Sequence, residues 1–218
     1  MTKPREKETD EGIQDSFVVK HYDEMMRNSR NKGYIYTDEI IELGIGDGRA
    51  LEIGPGPGYL GLEWLKNTGG TRLTGLDISA DMVKVAVKNA LEYGLEDRAE
   101  YVVGNAMALP FDDGVFDAVF SNASLHEWDD PVAVFNEIHR VLKEGGKFYI
   151  SDLRRDMFFL VKFFLRLQSK PKEMRSGLDS SLEASYIEEE VRDILHETKL
   201  EKFNITKNPF SIKIIGNK

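Results

Sequence analysis

Leu51-Glu52-Ile53-Gly54-Pro55-Gly56-Pro57-Gly58 is an apolar run that breaks into three glycines spaced two apart. The pattern reads as a short buried strand, Arg49–Ile53, delivering the chain into a tight loop. Glycine accepts positive φ and lets a ligand approach the backbone closely. A helix opening at Leu60–Lys66 follows, and its first N–H groups favour an anion. The run Thr71–Leu76 then ends at Asp77, nineteen residues past Gly58, and a carboxylate there can accept hydrogen bonds from both hydroxyls of a ribose. In an open α/β sheet, the carboxyl edge carrying such a loop is where ligands bind. Each part alone has a plain structural reading, as a turn or a helix cap; together they favour an adenosine-containing ligand. Gly56-Pro57-Gly58-Tyr59-Leu60-Gly61 also satisfies G-x-G-x-x-G, with Asp77 21 residues after Gly56, so a nicotinamide dinucleotide fits the same fingerprint.

The flanking sequence repeats the strand–helix alternation. Ser79 caps a helix with Met82, Val83, Ala86, Val87, Ala90 and Leu91 on its inner side. Glu100–Val103 and Val115–Ser121 read as the third and fourth strands. Asp130-Pro131 starts a helix running to Leu142, and Lys147–Ser151 is the fifth strand. This alternation implies a parallel sheet covered on both faces. Ser185 and Glu188 form a capping-box pattern before the last helix, and Lys202–Lys207 and Phe210–Ile215 follow. Only Asn208-Pro209 separates those strands, which permits an antiparallel hairpin and no parallel crossover.

The 218 residues are read as one domain. Residues 1–11 form a charged flexible tail, 12–48 an N-terminal helical cap, 49–152 the ligand-binding core, 153–186 a long insertion, and 187–218 the C-terminal helix and hairpin. The cap carries helices from Ile13 to about Asn28 and from Thr37 to Leu43. In the insertion, Arg155, Lys162, Arg166 and Ser169 fall on one stripe of an otherwise apolar helix. That suits a helix packed on the domain, a lid over an apolar acceptor, or a surface that touches lipid. Met157–Leu167 is too short to span a bilayer, so no transmembrane segment is expected.

Zero cysteines exclude disulfides and thiolate chemistry and suit a reducing, cytoplasmic setting. A net charge of −9 argues against a broad nucleic-acid surface, so no nucleic-acid partner is expected. Glu127, Asp129 and Asp130 cluster as a metal site would, yet acids at a helix N-terminus are commoner; no metal is expected. Oligomeric state is not legible.

Five segments resemble, in order and at the expected intervals, the motifs of class I S-adenosylmethionine-dependent methyltransferases. Leu51–Gly58 is similar to their first motif and Leu76-Asp77-Ile78-Ser79 to their second. Gly104-Asn105-Ala106-Met107-Ala108-Leu109-Pro110-Phe111 resembles the adenine-contacting segment, with Asn105 where the family usually has Asp. Phe116–Asn122 followed by Leu125-His126-Glu127-Trp128 resembles the fourth-strand motif. Arg140–Gly146 resembles the turn before the fifth strand, with Glu144 for the usual Pro. The nearest flavour is the small-molecule, quinone-biosynthesis-like group. The resemblance implies a Rossmann-like, doubly wound, seven-stranded sheet, mostly parallel with one antiparallel strand in a C-terminal hairpin. It also implies S-adenosylmethionine as cofactor, S-adenosylhomocysteine as product and a small-molecule acceptor.

Under that resemblance Glu52 faces the methionine ammonium, and Gly54, Pro55, Gly56 and Gly58 shape the cradle. Asp77 takes the ribose, Ile78 and Met82 flank the adenine, Asn105 and Ala106 contact it, and Asn122 lies beside the methyl group. His126 is the candidate base or a histidine that structures its loop; Tyr22 folds over the cofactor or is core. An NAD(P)-dependent oxidoreductase and a non-catalytic S-adenosylmethionine-binding protein stay open as alternatives.

Overall fold

Four consecutive residues of β1 (Arg49–Ile53) are buried, the pattern of a strand covered on both faces. Leu51 and Ile53 point into one core and Ala50 into another, as the two-residue period requires. The computed structural model describes residues 3–8, 13 and 15–218. Its elements run α1 (Ser16–Asn31), α2 (Asp38–Glu42), β1, α3 (Tyr59–Lys66), β2 (Arg72–Asp77), α4 (Ala80–Tyr93), β3 (Ala99–Val103) and β4 (Phe116–Asn122). Then follow α5 (Pro131–Val141), β5 (Leu142–Leu153), α6 (Phe159–Gln168), α7 (Met174–Ala184), α8 (Glu188–His196), β6 (Lys202–Lys207) and β7 (Ser211–Asn217).

The seven strands lie in the order β3-β2-β1-β4-β5-β7-β6, and β7 alone runs antiparallel to its neighbours. The expected α/β sheet with one antiparallel strand is therefore the observed one. Val134, Phe135 and Ile138 of α5 and Val191 and Leu195 of α8 cover one face. Leu62, Trp64 and Leu65 of α3, with Ile40 of α2 and Ala90 of α4, cover the other. Ser79 accepts the Met82 N–H at 3.2 Å and Asp130 the Ala133 N–H at 3.0 Å, so both expected caps form. Strand order reverses between β1 and β4, and the loops leaving those strands part there to form a crevice.

Four readings of the sequence need correction. Helix α1 starts at Ser16, because Asp15 accepts the N–H groups of Phe17 and Val18 at 2.9 and 3.1 Å and so ends the chain's freedom to begin earlier. The capping box sits two residues later than Ser185/Glu188. Ser185 Oγ donates back to Ser181 O at 2.6 Å, while Ile187 N–H donates to Glu190 Oε2 at 3.1 Å. Ile187 has no side-chain acceptor, so only the carboxylate half of the box exists. The insertion is two helices, and Arg155 precedes both of them instead of sharing a helical stripe with Lys162 and Arg166: it is buried, bonding Ser185 O, Lys3 O and Glu190. Lys3–Glu8, expected as part of a flexible tail, lies against the domain. Arg5 donates to Ala184 O at 2.5 Å and His126 O at 2.9 Å and stacks 4.1 Å over Tyr186. The other tail residues lie outside those described.

Candidate functional site

At the crevice a cavity of about 260 Å³ opens over the carboxyl ends of β1, β2 and β4. Tyr22, Gly54, Gly56, Asp77, Ile78, Met82, Asn105 and Ala106 line it; Glu52, Pro55, Gly58, Asn122 and His126 do not.

Gly54 sits at φ +65° and its N–H donates to Leu76 O at 2.9 Å, tying the loop to the end of β2. A Cβ at Gly54 would overlap Ser124 Oγ, so glycine is required both by conformation and by the approach of the loop after β4. Asp77 accepts the Gly56 N–H on one oxygen and the Ser79 N–H on the other, each at 2.9 Å. Burial raises its pKa, and those hydrogen bonds with the one from Ile78 act against the rise. The strand acid thus holds the glycine loop and faces the cavity at once. Pro55 and Gly58 are buried behind it, Pro55 O accepting the Gly58 N–H at 2.9 Å.

Glu52 shares the Ala50 face of β1 and lies beneath α3, where a Cβ on Gly61 would overlap its Oε2. Burial, with the charge of Asp77, pushes its pKa up to about 8 against one backbone hydrogen bond from Gly61. Glu52 Oε2 has no hydrogen-bond partner among the described residues. Asn105 Oδ1 accepts the Met107 N–H at 2.8 Å and so caps the short 3₁₀ turn Ala106–Ala108 that forms the cavity edge.

The wall opposite is shifted one residue from expectation. Asn122 is exposed, whereas Ala123 turns the chain at φ +56°, and Ala123, Ser124, Glu127 and Trp128 line the cavity. Ala123 is the only non-glycine residue at positive φ among those described, a strained conformation at the edge of a site. Ser124 Oγ accepts the Trp128 Nε1–H at 2.9 Å, which fixes the indole on the wall.

His126 is turned away from the cavity. Its Nδ1 lies 2.9 Å from both oxygens of Asp152, whose Oδ2 also accepts the His126 backbone N–H at 2.7 Å. Its Nε2 lies 3.5 Å from Glu8 and 4.0 Å from Glu127. Burial lowers its pKa, but Asp152, Glu127 and Glu8 together outweigh that and raise it to about 9, so the ring is an imidazolium at neutral pH. Glu127 is pushed up to about 7 by burial, moderated by His126 and reinforced by Glu8, Asp77 and Asp152. Glu8, His126 and Glu127 bring three possible metal-ligand atoms within 4.8 Å of one another. The two acids grouped with Glu127 in the sequence do other work: Asp129 pairs with Lys7 at 3.0 Å and Asp130 caps α5. Tyr22 covers the mouth from α1, its ring edge 3.3 Å from where a Cβ on Gly56 would lie. Burial and the nearby charges of Glu127, Asp77 and Asp152 raise its pKa, so the phenol keeps its proton.

A sequence family described as "Methyltransferase domain" matches residues 51–150, the segment that builds the loop, Asp77 and the Ala123–Trp128 wall. Over its whole length the fold is similar to that of a Methanococcus maripaludis protein assigned provisionally to the S-adenosyl-L-methionine-dependent methyltransferases. The TM-score is 0.77 with 26% identity, covering 98% of this chain and 97% of that one. Residues 51–150 are a methyltransferase domain, set in a fold similar to that of S-adenosylmethionine-dependent methyltransferases. The ubiquinone/menaquinone biosynthesis C-methyltransferase UbiE of a Ruegeria species is 32% identical over 104 residues, 48% of this chain and 42% of that one. Geranyl diphosphate C-methyltransferase of Streptomyces coelicolor, solved with S-adenosyl-L-homocysteine, shares the fold at a TM-score of 0.61 and 18% identity, over 78% of this chain and 69% of that one. The chain spans less than half the length of the first curated relatives it matches. Within the methyltransferase domain, motif reading finds the loop and the strand acid. It misses Ala123, Ser124 and Trp128, because which residues after β4 turn inward depends on the one positive φ at Ala123. No helix among the described residues is long and apolar enough to cross a membrane.

Proposed function

We propose that the chain binds S-adenosylmethionine in this cavity and transfers its methyl group to a small, apolar acceptor in the reducing cytoplasm, without a nucleic-acid partner. The observation that carries the reading is Asp77, a buried carboxylate on the cavity wall that also holds the Gly56 N–H. The residues present fit the cofactor: Asp77 for the ribose hydroxyls, Ile78 and Met82 beside the adenine, and Asn105 and Ala106 at its edge. Asn105 Oδ1 keeps a second lone pair beside the Met107 bond. The unpartnered Glu52 Oε2 beneath the loop offers a hydrogen-bond acceptor toward the methionine ammonium, whose positive charge would favour the ionised carboxylate.

Bound there, the cofactor supplies an electrophilic methyl group on a sulfonium, so the protein contributes mainly position and electrostatics. Tyr22 lies at the mouth, and its protonated hydroxyl is free to act as a donor toward a bound ligand. Trp128 and Val134 present apolar surface to an acceptor. The role of UbiE in quinone biosynthesis supports an apolar acceptor of that kind. Where the acceptor must lose a proton, Glu127 is the group suited to take it: it faces the cavity and titrates near neutrality. His126 acts behind it, as a positioning cation held by Asp152.

Calorimetric titration with S-adenosylhomocysteine tests the reading. Saturable binding is expected, weakened at least about tenfold in Asp77→Ala, since a lost hydrogen bond to a charged group is worth ~1.5–3 kcal/mol. An absence of heat with either S-adenosylhomocysteine or S-adenosylmethionine sinks it. A fluorescence response to NADH would favour the dinucleotide reading instead.

A further inference from the structure

Helix α6 reads FLVKFFLRLQ, seven apolar residues in ten, and buries none of them. Phe158, Phe159, Leu160, Phe163, Phe164 and Leu167 are each at least 50% exposed. No other element among those described exposes more than two large apolar side chains. A ten-residue helix is marginal in water without a packed face, and a contiguous apolar patch of this kind marks a contact surface. Its neighbour is α7, which in turn packs on the Leu125–Glu127 turn beside the cavity.

The charge around the patch says what covers it. Residues 159–175 carry Lys162, Arg166, Lys170, Lys172 and Arg175 against the single acid Glu173, in a chain with 38 acidic and 29 basic residues. Lys170 and Lys172 are exposed and form no ion pair among the described residues. Lys162 Nζ donates to Arg155 O at 2.6 Å, Arg166 meets Asp179 of α7 at 3.1 Å, and Arg175 bonds Ser169 O at 3.4 Å. A second copy docked by a two-fold axis would bring this basic rim against itself. A surface of negative headgroups over hydrocarbon satisfies both the phenylalanines and the lysines.

We infer that α6 and the following Ser169–Arg175 segment form a membrane-docking surface for anionic phospholipid, lying in the interface and not spanning it. The inference stands apart from the reaction, and its readout involves no methyl transfer.

The test is flotation of the full chain with vesicles of phosphatidylcholine alone and of phosphatidylcholine containing one third phosphatidylglycerol. The wild type is expected to float with the anionic vesicles, far less with the neutral ones, and to be released by high salt. Phe159→Ser/Phe163→Ser/Phe164→Ser and Lys170→Glu/Lys172→Glu are each expected to lower partitioning at least about tenfold, with S-adenosylhomocysteine binding retained. Wild-type protein that ignores anionic vesicles overturns the inference, as does a phenylalanine variant that floats as well as the wild type. So does a dimer, seen by light scattering, that those serines dissolve while vesicles have no effect.

Discussion

Glu127 and His126 are adjacent in the chain and differ in which way they face, and that difference assigns the proton. Glu127 lines the cavity with its pKa pushed up to about 7; His126 points to Asp152 and Glu8 and is already charged. S-adenosylmethionine carries a sulfonium cation that S-adenosylhomocysteine lacks, so the carboxylate should discriminate between them. Its negative charge is absent well below pH 7 and present above it. The ratio of affinities for the two should therefore rise about two- to fivefold from pH 6 to pH 8, and Glu127→Gln should flatten it. Calorimetry at three pH values decides this; an unchanged slope in Glu127→Gln removes Glu127 from the site. Of the residues the sequence points to at the loop and adenine, Glu52, Pro55 and Gly58 lie behind the wall, whereas Gly54, Gly56, Asp77, Ile78, Met82, Asn105 and Ala106 line the cavity. Asn122 and His126 do not, because a strand motif does not encode the left-handed turn at Ala123 that follows it.

At the scale of elements, the joint between β5, α7 and α8 rests on one buried arginine. Arg155 bonds Ser185 O and Lys3 O and pairs with Glu190 at 2.5 Å, drawing the N-terminal segment, the end of the insertion and the last helix together. Glu190 is 34% exposed, so solvent recovers part of the loss when its partner is removed. Arg155→Ala should still cost about 2–3 kcal/mol in urea denaturation, mostly through carbonyls left without a donor; a loss below about 0.5 kcal/mol would show that the joint holds without it. Local pattern puts Arg155 on one helical stripe with Lys162 and Arg166 because the helical period runs back through Leu153–Phe158, where the chain is strand and then turn. The tail reading failed for a related reason. Charged composition signals a segment with little to bury, yet Arg5 finds carbonyls at His126 and Ala184, more than a hundred residues away.

For the whole molecule, three groups, the buried Glu52 and His126 and the half-buried Glu127, bind protons in the fold that the unfolded chain would release. Glu52 is pushed from an ordinary 4.5 up to about 8, Glu127 from 4.5 to about 7, and His126 from 6.5 to about 9. Folded pKa values above the unfolded ones mean the native state holds more protons, so stability falls as pH rises. The Glu contributions are complete below about 4.5 and fade through 7 and 8; the His126 contribution is complete below 6.5 and fades through about 9. The thermal midpoint should decline from pH 5 to pH 9, with each group adding at most ~1.4 kcal/mol per pH unit. Glu52→Gln should flatten the decline below pH 8, and a midpoint that climbs across this range contradicts the assignment. Ligand linkage acts on the same scale. S-adenosylhomocysteine at a hundred times its dissociation constant should add ~2.7 kcal/mol. That raises the midpoint roughly 5–10 °C for a chain of this size, with no shift for NADH.

The alternating strands and helices of a mostly parallel sheet, the antiparallel hairpin, and the glycine loop with Asp77 at the next strand end follow from the sequence alone. They rest on short-range physics: two-residue and 3.6-residue apolar periods, caps, glycines at positive φ and connections too short for any other topology. Which side of the Ala123–Trp128 turn meets the cavity, where Arg155 goes, what Lys3–Glu8 touches and that α6 stays bare were decided only in three dimensions. Each depends on burial, and on partners far along the chain competing for the same charge or carbonyl, which no local pattern carries.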